Sequence, residues 1–457
     1  MNVVVVGGGY AGLAAACRLA GDGHRPLLME RSPRLGGRAS SFTDPDLGET
    51  VDYGHHILMR CCTAATGFLH RIAMDDAVSF QPHLSVPILY RQERSVLRSR
   101  FLPGPLHLAP GLLAYRPLTR RQRRSALLAG GRLLLANPRR LEDVSFDAWL
   151  AARGQDRSAV ERLWDPICIA ALNAPACDVS AAAAHKVFSD GFFRSDGADL
   201  GLFTVPLSDI ADAAAVHLAA HDGRVRTGIG VDRIALEGDA VAGVVLADGS
   251  EIGADTLISA VTPRDLAAML PAQFGAGPVV QRALDLAWSP IVNIHLWFDR
   301  PVMDDPFFVA VDSPIQVVFD VTRLHRSEGP GTARTHVVIS QSAAATWMER
   351  SDGELIATAC DALRTLSSRF GKAERTGARV IRHPLATFLP TPGASCLRPR
   401  AVTSIRGLFL AGDWTATGWP STLEGAVRSG IIAAAYAETA ADRPEDGISN
   451  PPTRPIF

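Results

Sequence analysis

The feature that most constrains this chain is a glycine-rich turn set between a strand and a helix within its first thirty residues. Val3-Val4-Val5-Val6 is an unbroken β-branched run, too short for a helix and suited to a strand buried on both faces. It runs into Gly7-Gly8-Gly9-Tyr10-Ala11-Gly12, a G-x-G-x-x-G, and then into the small-residue helical stretch Leu13–Ala20. A second strand, Pro26–Met29, ends in Glu30, eighteen residues after Gly12. Glycines at these positions permit a tight turn, a close approach of backbone to a pyrophosphate and close helix–strand packing. The helix N-terminus points free N–H groups at the phosphates, and a carboxylate at position 30 can hold a ribose hydroxyl. The pattern predicts a dinucleotide cradle made by Gly7, Gly9, Tyr10, Ala11 and Gly12, with Glu30 and Arg31 closing it.

The residues that follow say which dinucleotide. Arg34-Leu35-Gly36-Gly37-Arg38 places two glycines and a planar bidentate donor just past the ribose acid, a second phosphate clamp built on Gly37 and Arg38. This G-G-R after E-R resembles the signature of the FAD-binding amine oxidase and phytoene desaturase superfamily. Near the other end, Gly407–Trp414 reads as a strand ending at Gly412-Asp413, and a new helix is expected from near Ser421 and Thr422, with Thr422 and Leu423 at the cofactor. Asp413 would hydrogen-bond the ribityl or pyrophosphate region of FAD. The helix N-terminus would face the flavin and stabilise its anionic reduced form. In the superfamily, the segment holding Gly54 passes under the flavin, and a backbone N–H near Val231 meets the adenine.

Bulk properties bound the rest. A chain of 457 residues is long for one core and predicts at least two domains. With 47% hydrophobic and 20% charged residues it is foldable and greasy, and a net charge of −1 argues against nucleic-acid binding. Seven cysteines without C-x-x-C spacing predict neither a disulfide framework nor a zinc site, so a reducing cytoplasm is expected and no metal. The first strand leaves no room for a signal peptide, and no run reaches the ~18 apolar residues that span a bilayer. A cytoplasmic protein, peripheral on the inner face of the membrane, is the expectation.

Three middle stretches carry chemistry. Glu49–Leu58 reads as a strand breaking at Gly54, followed by the titratable pair His55-His56. Arg91–Arg140 holds twelve arginines against one acid, Glu93, interleaved with apolar pieces at 105–115 and 127–136. That composition suits either anionic lipid headgroups or a solvated face. Arg162–Pro175 reads as a helix buried nearly all round, lining a tunnel or forming core. Further on, short strands between 225 and 261 are expected to form a small sheet. Strands at 288–298, 315–321 and 336–340, with a helix at 354–370, are assigned to an inserted part.

The segments Val51–Thr63, Glu161–Pro166 with Ala171–Pro175, and Ala411–Gly418 with Thr422–Ala426 resemble hydroxysqualene dehydroxylases, also called squalene-associated FAD-dependent desaturases. That family usually carries Asn-Gly-Gln-His where this chain has Tyr53-Gly54-His55-His56, and Leu-Pro where it has Trp419-Pro420. The resemblance implies an α/β fold, a Rossmann-like FAD-binding domain with an inserted mixed α+β substrate domain. The first would comprise 1–75, 205–264 and 396–440, the second 76–204 and 265–395, with a flexible tail at 441–457. It implies reductive dehydroxylation of hydroxysqualene to squalene for hopanoid or triterpenoid synthesis. Such a reaction needs an electron donor of unspecified identity and an acid for the leaving oxygen, for which His55, His56 and Asp190 are the candidates. The alternatives are a phytoene-type desaturase or other isoprenoid or amine oxidoreductase, and a prenyl-lipid carrier on the same fold.

Overall fold

The structure is a computed structural model and describes residues 2–271, 277–325 and 334–442. A five-stranded parallel sheet carries the N-terminal fingerprint, in the order Arg224–Thr227, Leu27–Glu30, Val3–Val6, Thr256–Ser259, Leu408–Leu410. Val3–Val6 is its central strand and is buried throughout, as β-branched residues on a doubly covered strand should be. The helix Tyr10–Gly21 follows and is buried over all but its last residue. Its alanines let the C-terminal helix Leu423–Asp442 pack at close range: a Cβ at Gly430 would stand 2.0 Å from the Ala11 carbonyl oxygen.

The strands expected between 225 and 261 divide differently from expectation. Val231–Glu237, Ala240–Leu246 and Glu251–Gly253 form a separate three-stranded sheet, whereas Arg224–Thr227 and Thr256–Ser259 join the parallel one. Alternation in short strands fixes the buried face but not the partner, so the sheet boundary was open.

A second large sheet has seven strands, in the order Arg375–Phe388, Trp288–Phe298, Thr335–Gln341, Val317–Asp320, Phe307–Val311, Ser85–Tyr90, Glu93–Arg98. Helices from 106 to 192 pack on its Ser85–Tyr90 end around Trp149, Trp164 and Phe188. The expected helix at 354–370 begins earlier, at Asp352 behind a Ser351–Glu354 capping box, and ends at Leu366; a short helix then starts at Ser368. Arg162–Pro175 is also not one continuous buried helix. A π-helical turn, Val160–Trp164, leads into Asp165–Leu172, and Pro166, Ile167, Ile169 and Ala171 are only partly buried while Ala170 is exposed. A second π-helical turn, Val187–Phe192, faces the same space. The expected tail lies largely outside the described residues.

Candidate active site

One cavity of about 1010 Å³ runs from the glycine turn to the seven-stranded sheet. Gly7, Gly9, Tyr10, Ala11, Glu30, Arg31, Gly37, Arg38 and Val231 line it on the parallel-sheet side, with Gly412, Asp413, Thr422 and Leu423 facing them. Gly54, His55, His56 and Asp190 line its continuation, so these predicted residues, from Gly7 to Leu423, meet around one space. Gly12 is the exception. It does not reach the cavity, and a Cβ there would stand 1.9 Å from the Gly7 carbonyl oxygen. Its glycine serves the turn and the helix packing rather than contact with a bound group.

The turn suits a phosphate. The helix Tyr10–Gly21 has no side-chain cap and no acid in its first turn, so its N-terminal N–H groups and positive end remain available to an anion. A Cβ at Gly9 would meet nothing within 4 Å, which is the open approach a pyrophosphate needs. Glu30 braces the turn: its Oε2 accepts from the Gly8 N–H at 2.6 Å and its Oε1 from the Ser32 N–H at 2.8 Å. Each oxygen keeps a further lone pair. Arg31 pairs with Asp265 at 3.1 Å.

The second clamp and the closing motif meet each other. Arg38 donates to Asp413 Oδ1 at 2.5 Å and to the Ala386 carbonyl at 2.7 Å. Burial pushes the Asp413 carboxyl up, but the Arg38 guanidinium, the Ser421 hydroxyl and Arg398 together hold it below the usual carboxylate range. The helix Leu423–Asp442 is capped by Thr422, whose Oγ1 accepts from the Gly425 N–H at 3.1 Å. The Glu424 side chain accepts from the N–H groups of Ala64 and Ala65 at 3.1 and 2.7 Å, tying this helix to Thr63–Arg71.

The Gly54 segment lines the cavity and also packs closely on a side chain of the seven-stranded sheet. A Cβ at Gly54 would stand 2.6 Å from Asn293 Nδ2, the same amide that donates to the Tyr53 carbonyl at 2.9 Å. His55 and His56 then part company. The His55 side chain is 1% exposed, with Asp52 Oδ2 3.9 Å from its Nδ1 and Phe319 4.7 Å from its ring, and neither nitrogen has a hydrogen-bond partner. Burial drives its pKa well below the ordinary value. His56 is only partly buried, and its Nδ1 donates to the Gly54 carbonyl at 2.9 Å. Burial lowers its pKa too, opposed by that carbonyl and by Asp52. Asp190 is engaged by Lys186, whose Nζ lies 2.6 Å from its Oδ2.

Beyond these groups much of the wall is apolar, with Ile57, Met59, Ile88, Leu97, Leu163, Ile167, Phe192, Phe307 and Phe319, and His383 and Thr387 also reach it. The sequence reading missed Lys186, Asn293, Glu424 and Arg398. Arg398 donates to the carbonyls of Asp413 and Thr415 and holds the turn after Gly412. None of the four carries a local signal, except that Glu424 falls within the closing T-L-E-G stretch.

The comparisons agree with this geometry. The chain resembles the 15-cis-phytoene desaturase of Synechococcus elongatus, with 26% identity over 461 residues and 95% of each chain covered. It resembles the hydroxysqualene dehydroxylase of Sinorhizobium fredii at 27% over 447 residues, covering 95% of this chain and 98% of that one. Among solved structures, an oxidoreductase from Methanosarcina mazei superposes with TM-score 0.73 at 20% identity, over 94% of this chain and 99% of that one. A redesigned putrescine oxidase superposes with TM-score 0.71 at 18% identity, over 96% and 98%. The sequence profile of the flavin containing amine oxidoreductases matches residues 10–437. The cradle, the uncapped helix end and this match together make the chain an FAD-dependent member of the flavin-containing amine oxidoreductase family.

Proposed function

We propose that this oxidoreductase removes the allylic hydroxyl of hydroxysqualene to give squalene, a step toward hopanoids or related triterpenoids. One observation carries the reading: an apolar cavity continuous with the dinucleotide cradle has proton-bearing side chains, His56 and Lys186, in its wall. Apolar walls suit a polyprenyl chain, and desaturation of a pure hydrocarbon would need no acid there, whereas loss of a hydroxyl does. In this reading residues 1–75, 205–264 and 396–440 hold the cofactor, and 76–204 and 265–395 hold the substrate.

FAD held by the glycine turn, Glu30, Arg38 and Asp413, and reduced by an external donor, would supply the hydride that replaces the hydroxyl. The chain's own part is to protonate the departing oxygen so that it leaves as water. His55 is poorly suited to this, because burial keeps its ring neutral. His56 is the better donor. Because the Gly54 carbonyl can only accept, the proton of the neutral ring sits on Nδ1, and Nε2 gains a transferable proton only as the imidazolium. In the Lys186–Asp190 pair Lys186 is the donor and Asp190 the acceptor, so Lys186 rather than Asp190 is the second candidate.

Phytoene-type desaturation is the second reading, favoured by the likeness to phytoene desaturases. Anaerobic incubation of the photoreduced enzyme with hydroxysqualene, followed by mass analysis, separates the two. Squalene formation supports the first. Dehydrogenation of phytoene by the oxidised enzyme, with hydroxysqualene untouched, replaces it with the second.

The Arg-rich segment is the proposed contact with an anionic membrane. Of the large hydrophobic side chains exposed among the described residues, most lie between Phe101 and Val144, including Phe101 at 89% and Leu135 at 86%. Arg120, Arg121 and Arg124 are exposed beside them, whereas Arg123 donates to the carbonyls of Leu113 and Leu118. Each free cation near such a surface contributes about 1 kcal/mol. Replacing Arg120, Arg121 and Arg124 with Gln should weaken sedimentation with anionic vesicles at low salt. Unchanged sedimentation would make the segment a solvated face.

A further inference from the structure

At the cavity wall, His55 converges with two further ligand-type side chains that lie behind it. Asp52 ends the strand Thr50–Asp52, His55 follows in the same segment, and His325 ends the helix Val321–His325 from the seven-stranded-sheet side of the molecule. Asp52 Oδ2 lies 3.9 Å from His55 Nδ1 and 3.6 Å from His325 Nε2, and the three atoms lie within 4.8 Å of one another. The side chains are 5%, 1% and 8% exposed. All three atoms lack a hydrogen-bond partner. Buried polar atoms are nearly always paired, so three orphans facing one point require an explanation.

The separations are too long for direct hydrogen bonds. The two from the carboxylate, 3.6 and 3.9 Å, approach the ~3.3 Å that a tetrahedral ion with ligands at about 2.0–2.1 Å sets between its donors. The carboxylate is also oriented as metal-bound carboxylates are. Its other oxygen, Oδ1, accepts from Ser41 Oγ at 2.5 Å and from the Leu207 N–H at 3.1 Å, which leaves Oδ2 to face the two rings. Burial keeps both imidazoles neutral at pH 7, the form that ligates.

We infer that Asp52, His55 and His325 form a binding site for a divalent transition ion of the zinc type, with one carboxylate and two imidazole ligands. The ion would satisfy three of the four orphaned atoms of the cluster, leaving only His55 Nε2. It would tie the Asp52–His56 segment to the helix Val321–His325 and so fix the turn that presents His56. The site stands whichever substrate the enzyme takes.

The test uses the purified holoenzyme, stripped with a chelator, dialysed and titrated with zinc chloride by calorimetry. The expected result is one zinc per chain, with a rise in Tm on loading. X-ray absorption should show nitrogen and oxygen ligands at about 2.0–2.2 Å and no sulfur shell near 2.3 Å. His325→Gln should weaken zinc binding about 100-fold or more and abolish the metal-dependent rise in Tm, while FAD content stays at the parental level. Asp52→Asn gives a second variant with the same expected loss of zinc. Failure of the parent to take up zinc, parental zinc affinity in His325→Gln, or a sulfur shell pointing to Cys61 and Cys62 would each overturn the assignment.

Discussion

The two ends of the cavity are built on opposite terms. At the cradle, the principal charged groups are matched: Glu30 by two backbone N–H groups, Arg31 by Asp265, and Arg38 by Asp413 and Ala386. At Asp52 and His55, three side-chain atoms have no hydrogen-bond partner, and His295 and His325 each leave a buried nitrogen unpaired. A buried polar atom without a partner costs about 1–3 kcal/mol. The first end is therefore a finished scaffold that accepts a ligand without rearranging. The second is held in place by its surroundings and gains from whatever proton, ion or substrate group arrives.

The sharpest break of the scaffold end is Gly12→Val. Its Cβ would fall 1.9 Å from backbone that cannot move without pulling the first strand off the sheet. The expected outcome is a loss of about 3 kcal/mol or more in stability and no retained flavin, read by Tm and visible absorbance. A yellow variant with parental Tm would mean that the turn is not over-determined.

At the other end, His56→Ala should lower turnover of hydroxysqualene about 10²–10⁴-fold with FAD content unchanged. Because the pKa of His56 is lowered from 6.5, the imidazolium fraction is small at pH 7. The parental rate should therefore rise on acidification toward that lowered value, and His56→Ala should flatten the profile. Parental turnover in His56→Ala would pass the role to Lys186.

Asp413→Ala tests whether matched charges at the cradle act on the cofactor. It leaves Arg38 and Ser421 without their shared carboxylate. We expect FAD retention to weaken by about 1.5–3 kcal/mol, measured as Kd by flavin fluorescence on reconstitution. Full affinity would mean that Arg38 and Asp413 only brace each other.

The smallest effect is a slope. Burial lowers His295 to about 3 and His325 to about 4, so the unfolded chain takes up their protons first as pH falls below 6.5. Their stabilisation is complete above pH 6.5 and is lost on acidification, at up to about 1.4 kcal/mol per pH unit for each ring that titrates. Asp52, raised to about 6 by burial, works the other way between pH 4 and 6 but is outnumbered. Tm should fall between pH 6.5 and 4.5. Asp299, held near 2 first by its hydrogen bond to Arg300 and then by the Glu374 N–H, titrates too low to contribute in that window. A flat profile there would remove the contrast between the two ends.

The cradle was legible because each of its parts is a local rule. Four β-branched residues, glycines where a Cβ would clash and an acid at a strand end need no knowledge of distant chain. The pair His55-His56 was legible as chemistry but not as two different environments, since only Asn293, Phe319 and His325 separate them. Arg38 and Asp413 were each read toward a phosphate or ribityl group, and their contact with one another across 375 positions could not be seen.

The sequence by itself determined the parallel βαβ unit and the strand Trp288–Phe298, because backbone sterics and hydrophobic period act over a few residues, while the choice of FAD came from resemblance to a family signature. Tertiary structure alone decided which strands share a sheet, where the apolar cavity opens and which charges are left unpaired. Those outcomes depend on contacts between segments hundreds of residues apart, and burial, which sets the cost of a lone imidazole or carboxylate, exists only once the layers have packed.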